Sequence, residues 1–267
     1  MGTILGGRSF DWGSRVYLMG IVNVTPDSFS GDGVVDPGGA VEQGLRMVAE
    51  GADILDVGGE STRPGHRPVS VELELARVLP VVERLAREAG VPVSIDTWKL
   101  AVAEAAIAAG AALINDVWGL QRSPGLAALA AREGAGLVVM HNQESTKYSD
   151  LVGEVLTSLR RSLAIAEDAG VPANRLIVDP GIGFGKTWQQ NLVVLRRLEE
   201  LKALDRPLLV GTSRKSFIGR ILDLPEEDRV EGTAASVAAA VLRGADLVRV
   251  HDVRQMARVV RVAEALR

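Results

Sequence analysis

Met19-Gly20-Ile21-Val22-Asn23-Val24-Thr25-Pro26-Asp27-Ser28-Phe29-Ser30 is an apolar run that stops at an amide and turns through Thr-Pro-Asp. Leu18 to Val24 reads as a buried strand, and Pro26, which has no N–H to give a ladder, prevents its continuation. Asn23 therefore lies at the C-terminal end of a strand. The segment Asp27 to Asp36 that follows mixes Ser, Gly and Asp around one aromatic, Phe29, a composition suited to a loop. Strand, polar ending, loop and helix then recur along the chain.

Pro37 to Gly51 carries apolar residues at helical spacing (Ala40, Val41, Leu45, Val48, Ala49) behind a Pro suited to a helix start. Strand-like runs follow at Ala52 to Val57, Val91 to Ile95, Ala112 to Val117, Gly136 to Met140, Leu176 to Val178, Pro207 to Val210 and Ala245 to Val250. Helical patterns lie near Val71 to Glu88, Leu100 to Ala109, Pro124 to Glu133, Leu151 to Ala169, Gln189 to Ala203, Arg229 to Leu242 and Val253 to Ala265. The strand runs are continuously apolar, as parallel strands covered on both faces should be. Gly51, Gly90, Gly110, Gly134, Gly170 and Gly244 each close a helix just before a strand, where a left-handed cap is needed. Eight strand–helix units in 267 residues predict a single α/β (β/α)8 TIM barrel over 1–267, with a doubly wound sheet as the second choice. Ile4 to Phe10 and Arg15 to Val22, around Asp11-Trp12-Gly13-Ser14, predict a short N-terminal β-hairpin.

Composition narrows the function. A net charge of -4 with acids and bases interspersed argues against nucleic acid or an anionic membrane as partner. The chain has no cysteine, which excludes thiolate catalysis and Cys-bearing metal sites. No run reaches the roughly 18 apolar residues of a membrane span, and Met1 to Phe10 has no apolar signal core, so a cytoplasmic enzyme acting on small molecules is expected. Of the 30 Lys+Arg residues only Lys99, Lys147, Lys186, Lys202 and Lys215 are lysine, and Lys186 and Lys215 fall in glycine- or serine-rich turns.

Polar groups gather at the strand ends: Asn23, Asp56, Asp96, Asn115-Asp116, His141-Asn142, Asp179, Thr212 to Lys215 and Arg249 to Asp252. In a barrel these converge on one face. Any one of them can be a helix cap, and capping or packing is the reading for Asp56, Asp116 and Asp252. Eight polar endings together call for a ligand to satisfy them. Gly58 to Gly65 holds Arg63 before Pro64 and reads as an anion-binding loop, whereas Asp179 to Lys186 lacks the order of a nucleotide loop and reads as a turn aiming Asp179 inward. His66, His141 and His251 have no metal-ligand spacing. Arg249 and His251 share a strand face, consistent with an anion clamp or with an inward Arg paired to a structural carboxylate.

Asn23 to Ser30, Gly58 to Gly65, Ile95-Asp96-Thr97, Asn115-Asp116, Asp179 to Lys186, Ser213 to Ser216 and Arg249 to Asp252 together resemble the dihydropteroate synthase family, in its order and over nearly the whole chain. The resemblance implies condensation of 6-hydroxymethyl-7,8-dihydropterin diphosphate with p-aminobenzoate to 7,8-dihydropteroate and pyrophosphate, with Mg2+, in a homodimer formed through the last helices. It implies a pterin pocket of Asp96, Asn115, Met140, Asp179, Lys215 and Arg249, and a diphosphate site of Asn23, Arg63, Arg249 and His251, with Asn23 ligating the metal. Phe29, Thr62, Pro64 and Ser216 would hold p-aminobenzoate. Lys215, Arg249 and His251, with Asp27 and Asp32 of the first loop, would carry catalysis. The family loop commonly reads Ser-Phe-Ser-Asp-Gly-Gly, whereas here Gly31 precedes Asp32. A pterin-binding methyltransferase and a catalytically idle pterin-binding barrel are the alternatives, and neither needs Lys215-Ser216 together with an anion clamp.

Overall fold

The computed structural model describes residues 2–25, 36–60 and 69–267. The chain opens with β1 (Gly2–Leu5) and β2 (Arg8–Asp11), an antiparallel pair in which Leu5 faces Arg8. The predicted hairpin is therefore real but displaced. Its turn is Gly6-Gly7, with φ +52° and +78°, and the expected turn at Asp11 to Ser14 is only the link to the barrel. Two consecutive positive-φ residues make the tight turn that matches strand twist, and glycine takes them without a Cβ clash.

The barrel follows in the order β3 (Tyr17–Asn23), α1 (Pro37–Ala49), β4 (Ile54–Gly58), α2 (Val71–Glu88), β5 (Val93–Asp96), α3 (Leu100–Ala108), β6 (Leu113–Asp116) and α4 (Gly125–Glu133). It continues with β7 (Gly136–Met140), α5 (Leu151–Asp168), β8 (Leu176–Asp179), α6 (Trp188–Arg196), β9 (Leu209–Val210), α7 (Ser216–Leu222), α8 (Val230–Leu242), β10 (Leu247–Val250) and α9 (Val253–Ala265). The eight barrel strands pair in parallel in the order β8-β7-β6-β5-β4-β3-β10-β9. A bridge between Val178 and Leu208 closes the ring. All six glycines expected to end helices have positive φ, from +65° at Gly134 to +112° at Gly51. The predicted helix Gln189 to Ala203 is broken: α6 ends at Arg196, and Leu198–Leu204 is a 3-10 stretch whose Leu198, Leu201 and Leu204 are buried at its three-residue period. None of the described helices is long and apolar enough to cross a membrane.

Side-chain alternation stacks the barrel interior in layers. Met19, Ile54, Leu113, Val138, Ile177, Leu209 and Leu247 form one apolar cluster with Tyr17 and the hairpin residues Leu5, Phe10 and Trp12. The hairpin thus plugs the end where the strands begin. Two residues further along the same strands the inward positions are Ile21, Asp56, Asn115, Met140, Asp179, Gly211 and Arg249. The interior changes from hydrocarbon to charge within one layer.

Candidate active site

A cavity of about 570 Å³ opens at the C-terminal ends of the strands. Its walls include Asn23, Asp96, Asn115, Met140, Asp179, Lys215, Ser216, Arg249 and His251, so every expected site residue within the described regions reaches one space. Asp27, Phe29, Asp32, Thr62, Arg63, Pro64 and His66 lie outside the described residues.

Arg249 organises the floor. Its Nε donates to Asp56 Oδ2 at 2.6 Å and its Nη2 to Asp96 Oδ2 at 2.6 Å. Asn115 Nδ2 donates to the same Asp56 oxygen at 2.9 Å. Of the capping and packing readings of Asp56, packing is the one seen: it is fully buried and holds the guanidinium and amide that face the cavity. For Arg249, one of the two alternatives left by the sequence is seen. It is an inward arginine paired to carboxylates that also lines the cavity, and burial of its charge is overcome by Asp56 and Asp96, which hold its pKa above the usual value. Two buried acids share this one guanidinium, and burial together with the Asp56 charge, opposed by Arg249, pushes Asp96 up to about 7. Asp96 Oδ1 has no partner among the described residues, which leaves an acceptor in place for a ligand.

Asp179 enters from the last residue of β8 and accepts a 2.7 Å hydrogen bond from Gly181 N. Burial pushes it up to about 6 against the pull of that amide and of Lys215. The expected turn does aim Asp179 inward, and Gly181, Gly183 and Gly185 all have positive φ there. Lys215 precedes α7, its ammonium 4.2 Å from the Phe184 ring centroid. Burial and Arg249 lower it to about 8, leaving it mainly protonated at pH 7.

His251 lines the same cavity. Burial, then Arg249 and Arg214, drive its pKa down to about 3, so it is a neutral imidazole. Its Nδ1 lies 3.0 Å from Ser213 Oγ, which also accepts from His251 N at 3.1 Å. Asp252 does not cap α9; it accepts both forks of Arg214, at 3.0 and 2.5 Å. Arg214 has φ +56°, a costly conformation for a residue with a Cβ, held further by its N–H to Thr233 Oγ1 at 3.0 Å and by Arg229 Nη1 on its carbonyl at 3.0 Å. Asp116 behaves as expected, accepting from Trp118 N and Leu120 N in a turn.

Sequence reasoning missed Asp56, Phe184 and Ser213 as parts of the site. For Asp56 the signal was available, because Ile54, Asp56 and Gly58 alternate along one strand face. For Phe184 and Ser213 it was not, since a turn residue's direction depends on the backbone around it. Lys99 is a further omission: its ammonium donates to Glu60 of the cavity wall and to Glu74, both at 2.6 Å, and to Val69 O at 2.7 Å.

Asn23 offers a metal one amide oxygen, and among the described residues no group of three His, Asp or Glu is placed to hold an ion. This fits a Mg2+ whose remaining ligands arrive with a substrate and with water.

Residues 19–251 match the family model described as "Pterin binding enzyme". The dihydropteroate synthase of Bacillus subtilis is 48% identical over 253 residues, covering 94% of this chain and 89% of the relative, and that of Escherichia coli K12 is 43% identical over 97% and 94%. Among solved structures, the Clostridium difficile dihydropteroate synthase in the presence of pteroic acid superposes with a TM-score of 0.93 at 45% identity, covering 96% of this chain and 98% of that one. The Xanthomonas albilineans enzyme with 4-aminobenzoic acid gives 0.94 at 45% identity, over 98% and 96%. With a cavity built from acceptors, a lysine and an arginine at the mouth of such a barrel, the chain belongs to the dihydropteroate synthase family of pterin-binding enzymes.

Proposed function

We propose that this chain joins 6-hydroxymethyl-7,8-dihydropterin diphosphate to p-aminobenzoate, releasing pyrophosphate and forming 7,8-dihydropteroate. The observation that carries this is the convergence of Asp96, Asn115, Asp179 and Lys215 on one buried cavity whose rim holds Asn23, Arg249 and His251. A pterin edge presents an N–H and an amino group beside a carbonyl. Asp179 accepts from the first two, Asn115 both gives and accepts, and Lys215 donates to the carbonyl. The free Asp96 Oδ1 accepts from the ring, and Met140 packs beside it.

Arg249 places a planar cation between pterin and diphosphate, held by its two carboxylates. His251, as a neutral donor or acceptor, contributes a hydrogen bond and no charge. Arg63 joins the diphosphate site by family pattern, and Asn23 gives one oxygen to Mg2+. When bound, Mg2+ neutralises diphosphate charge. The C–O bond to the pterin methylene breaks with both electrons leaving on pyrophosphate, and the electron-rich dihydropterin carries the resulting cation. The aniline nitrogen then forms the C–N bond and loses a proton to water. Ser216, with Phe29, Thr62 and Pro64, orients p-aminobenzoate, while Asp27 and Asp32 serve the cation or the loop around it. We read 1–267 as one domain acting in the cytoplasm. A homodimer through the last helices is supported by the exposed Ile221, Leu222 and Leu242, and light scattering tests it.

Pyrophosphate release from dihydropterin diphosphate, with and without p-aminobenzoate and with and without Mg2+, tests the reaction. Sustained release that needs both, and that collapses in Asp179→Ala and Lys215→Ala, supports it. Pterin binding with no release under any condition would sink it.

A further inference from the structure

Lys186 is a buried lysine for which the reaction above has no use. It closes the turn Asp179-Pro180-Gly181-Ile182-Gly183-Phe184-Gly185-Lys186 and is 8% exposed. Its ammonium points back into the turn, donating to Gly181 O at 3.0 Å, Phe184 O at 3.1 Å and His141 Nδ1 at 2.8 Å. When protonated, its three N–H groups meet three acceptors, while burial, opposed by the Asp179 charge, lowers its pKa to about 7. Burial, with Lys186 beside it, drives His141 down to about 3, which leaves its ring neutral and Nδ1 free to accept.

The turn around it is closely packed. Gly181 has φ +69°, and a Cβ there would lie 1.9 Å from His141 O; Gly185 has φ +55°, and its Cβ would lie 2.5 Å from Gln143 O. The turn points the Gly181 and Phe184 carbonyls at the Lys186 amine, and buried carbonyls of this kind need hydrogen-bond donors at their centre. Both ends of the turn reach the active site. Gly181 N holds Asp179 Oδ1 at 2.7 Å, and the Phe184 ring lies 4.2 Å from Lys215 Nζ.

We propose that Lys186 is a positioning residue whose ammonium serves as an internal cation, gathering the Gly181 and Phe184 carbonyls so that Asp179 and Phe184 are set for the pterin. The idea rests on the pterin reading above. The competing account is that Lys186 only stabilises the fold.

The test uses Lys186→Ala, which leaves a cavity, and Lys186→Met, which fills it without donors. In Lys186→Ala we expect amide exchange at Gly181 to quicken and the affinity for dihydropterin diphosphate, read by calorimetry, to fall. Each change should be roughly ten- to a hundredfold, the range for losing hydrogen bonds to a charged group. Added ammonium chloride should restore both in Lys186→Ala, since ammonium fits the vacated cage, while sodium chloride should not, and neither salt should restore Lys186→Met. Loss and rescue of pterin affinity, with the unfolding constant from urea denaturation within about fivefold of the parent (about 1 kcal/mol), are beyond a merely structural lysine. Exchange and affinity within about twofold of the parent in both variants, or losses that ammonium leaves untouched in Lys186→Ala, would overturn the proposal. If Lys186→Ala does not fold, His141→Phe removes one acceptor and should quicken Gly181 exchange and weaken pterin binding in the same direction; no change in either then counts against it. A parent protein that binds pterin without condensing it defeats the proposed function while Lys186 is still judged on affinity. One that binds no pterin leaves Lys186 to be judged on Gly181 exchange.

Discussion

The two ends of the barrel solve the same packing problem with opposite chemistry. Where the strands begin, the interior is filled by hydrocarbon and sealed by a hairpin whose Phe10 packs 4.9 Å from Tyr17 and 5.4 Å from Trp12 between ring centroids. Where they end, the equivalent positions carry Asp56, Asn115 and Arg249, held by one another, and Asp179, held by the Gly181 amide. Apolar filling is non-directional and needs only volume, so the lower end can be rigid without being specific. Buried charge requires partners at defined distances, so the upper end is specified atom by atom and holds Asp96 Oδ1 unpaired. The barrel therefore keeps its stability and its chemistry in different layers.

The largest expected break in this contrast is Arg249→Met. It strands a fully buried Asp56 and a buried Asp96, and should cost about 3–5 kcal/mol in urea denaturation at pH 8 as well as abolishing pyrophosphate release. A loss of stability below about 1 kcal/mol would mean that the acids do not depend on it. Phe10→Ala at the other end should cost a similar ~3–5 kcal/mol while leaving KM for both substrates unchanged. A shift in KM would show the layers to be coupled.

A smaller effect concerns pH. Asp96 has its pKa raised from 3.8 to about 7 in the folded protein, so between those values the folded state keeps a proton that the unfolded state has released. Its contribution to stability is complete below pH 4 and is lost as pH rises through 7. Asp116, Asp179, Lys186, His141 and His251 are shifted as well, so the reading is the difference between parent and Asp96→Asn melting curves from pH 4 to 8. That difference should slope in this sense, and a flat one would contradict it. The smallest change is Gly7→Ala in the hairpin turn. With φ +78° and nothing within 4 Å of a new Cβ, it should cost about 1 kcal/mol from the backbone alone, without touching activity. Urea midpoints would measure it.

Much of the architecture was legible in the chain. Continuous apolar runs gave the parallel strands, and the six glycines that end helices all needed the left-handed backbone the sequence pointed to. Asn23, Asp96, Asn115, Asp179, Lys215, Arg249 and His251 could be assembled into one site because a barrel brings strand ends together whatever their separation along the chain. The hairpin turn was misread although its signal was present: Gly6-Gly7 divides Ile4 to Phe10 as a two-residue hairpin turn does, and Asp11 to Ser14 drew the reading away from it.

What the sequence by itself determined is periodic or local: the strand–helix alternation, the caps, and which strand ends are polar. What only the tertiary structure decided is pairing. That Arg249 lies on Asp56, 193 residues away, and on Asp96 as well, follows from barrel register. That Lys186 folds back onto His141 follows from the path of a turn. The neutrality of His251 follows from burial beside two arginines. A side chain's charge and direction depend on neighbours that arrive from other strands, and one-dimensional pattern carries no record of which neighbours those will be.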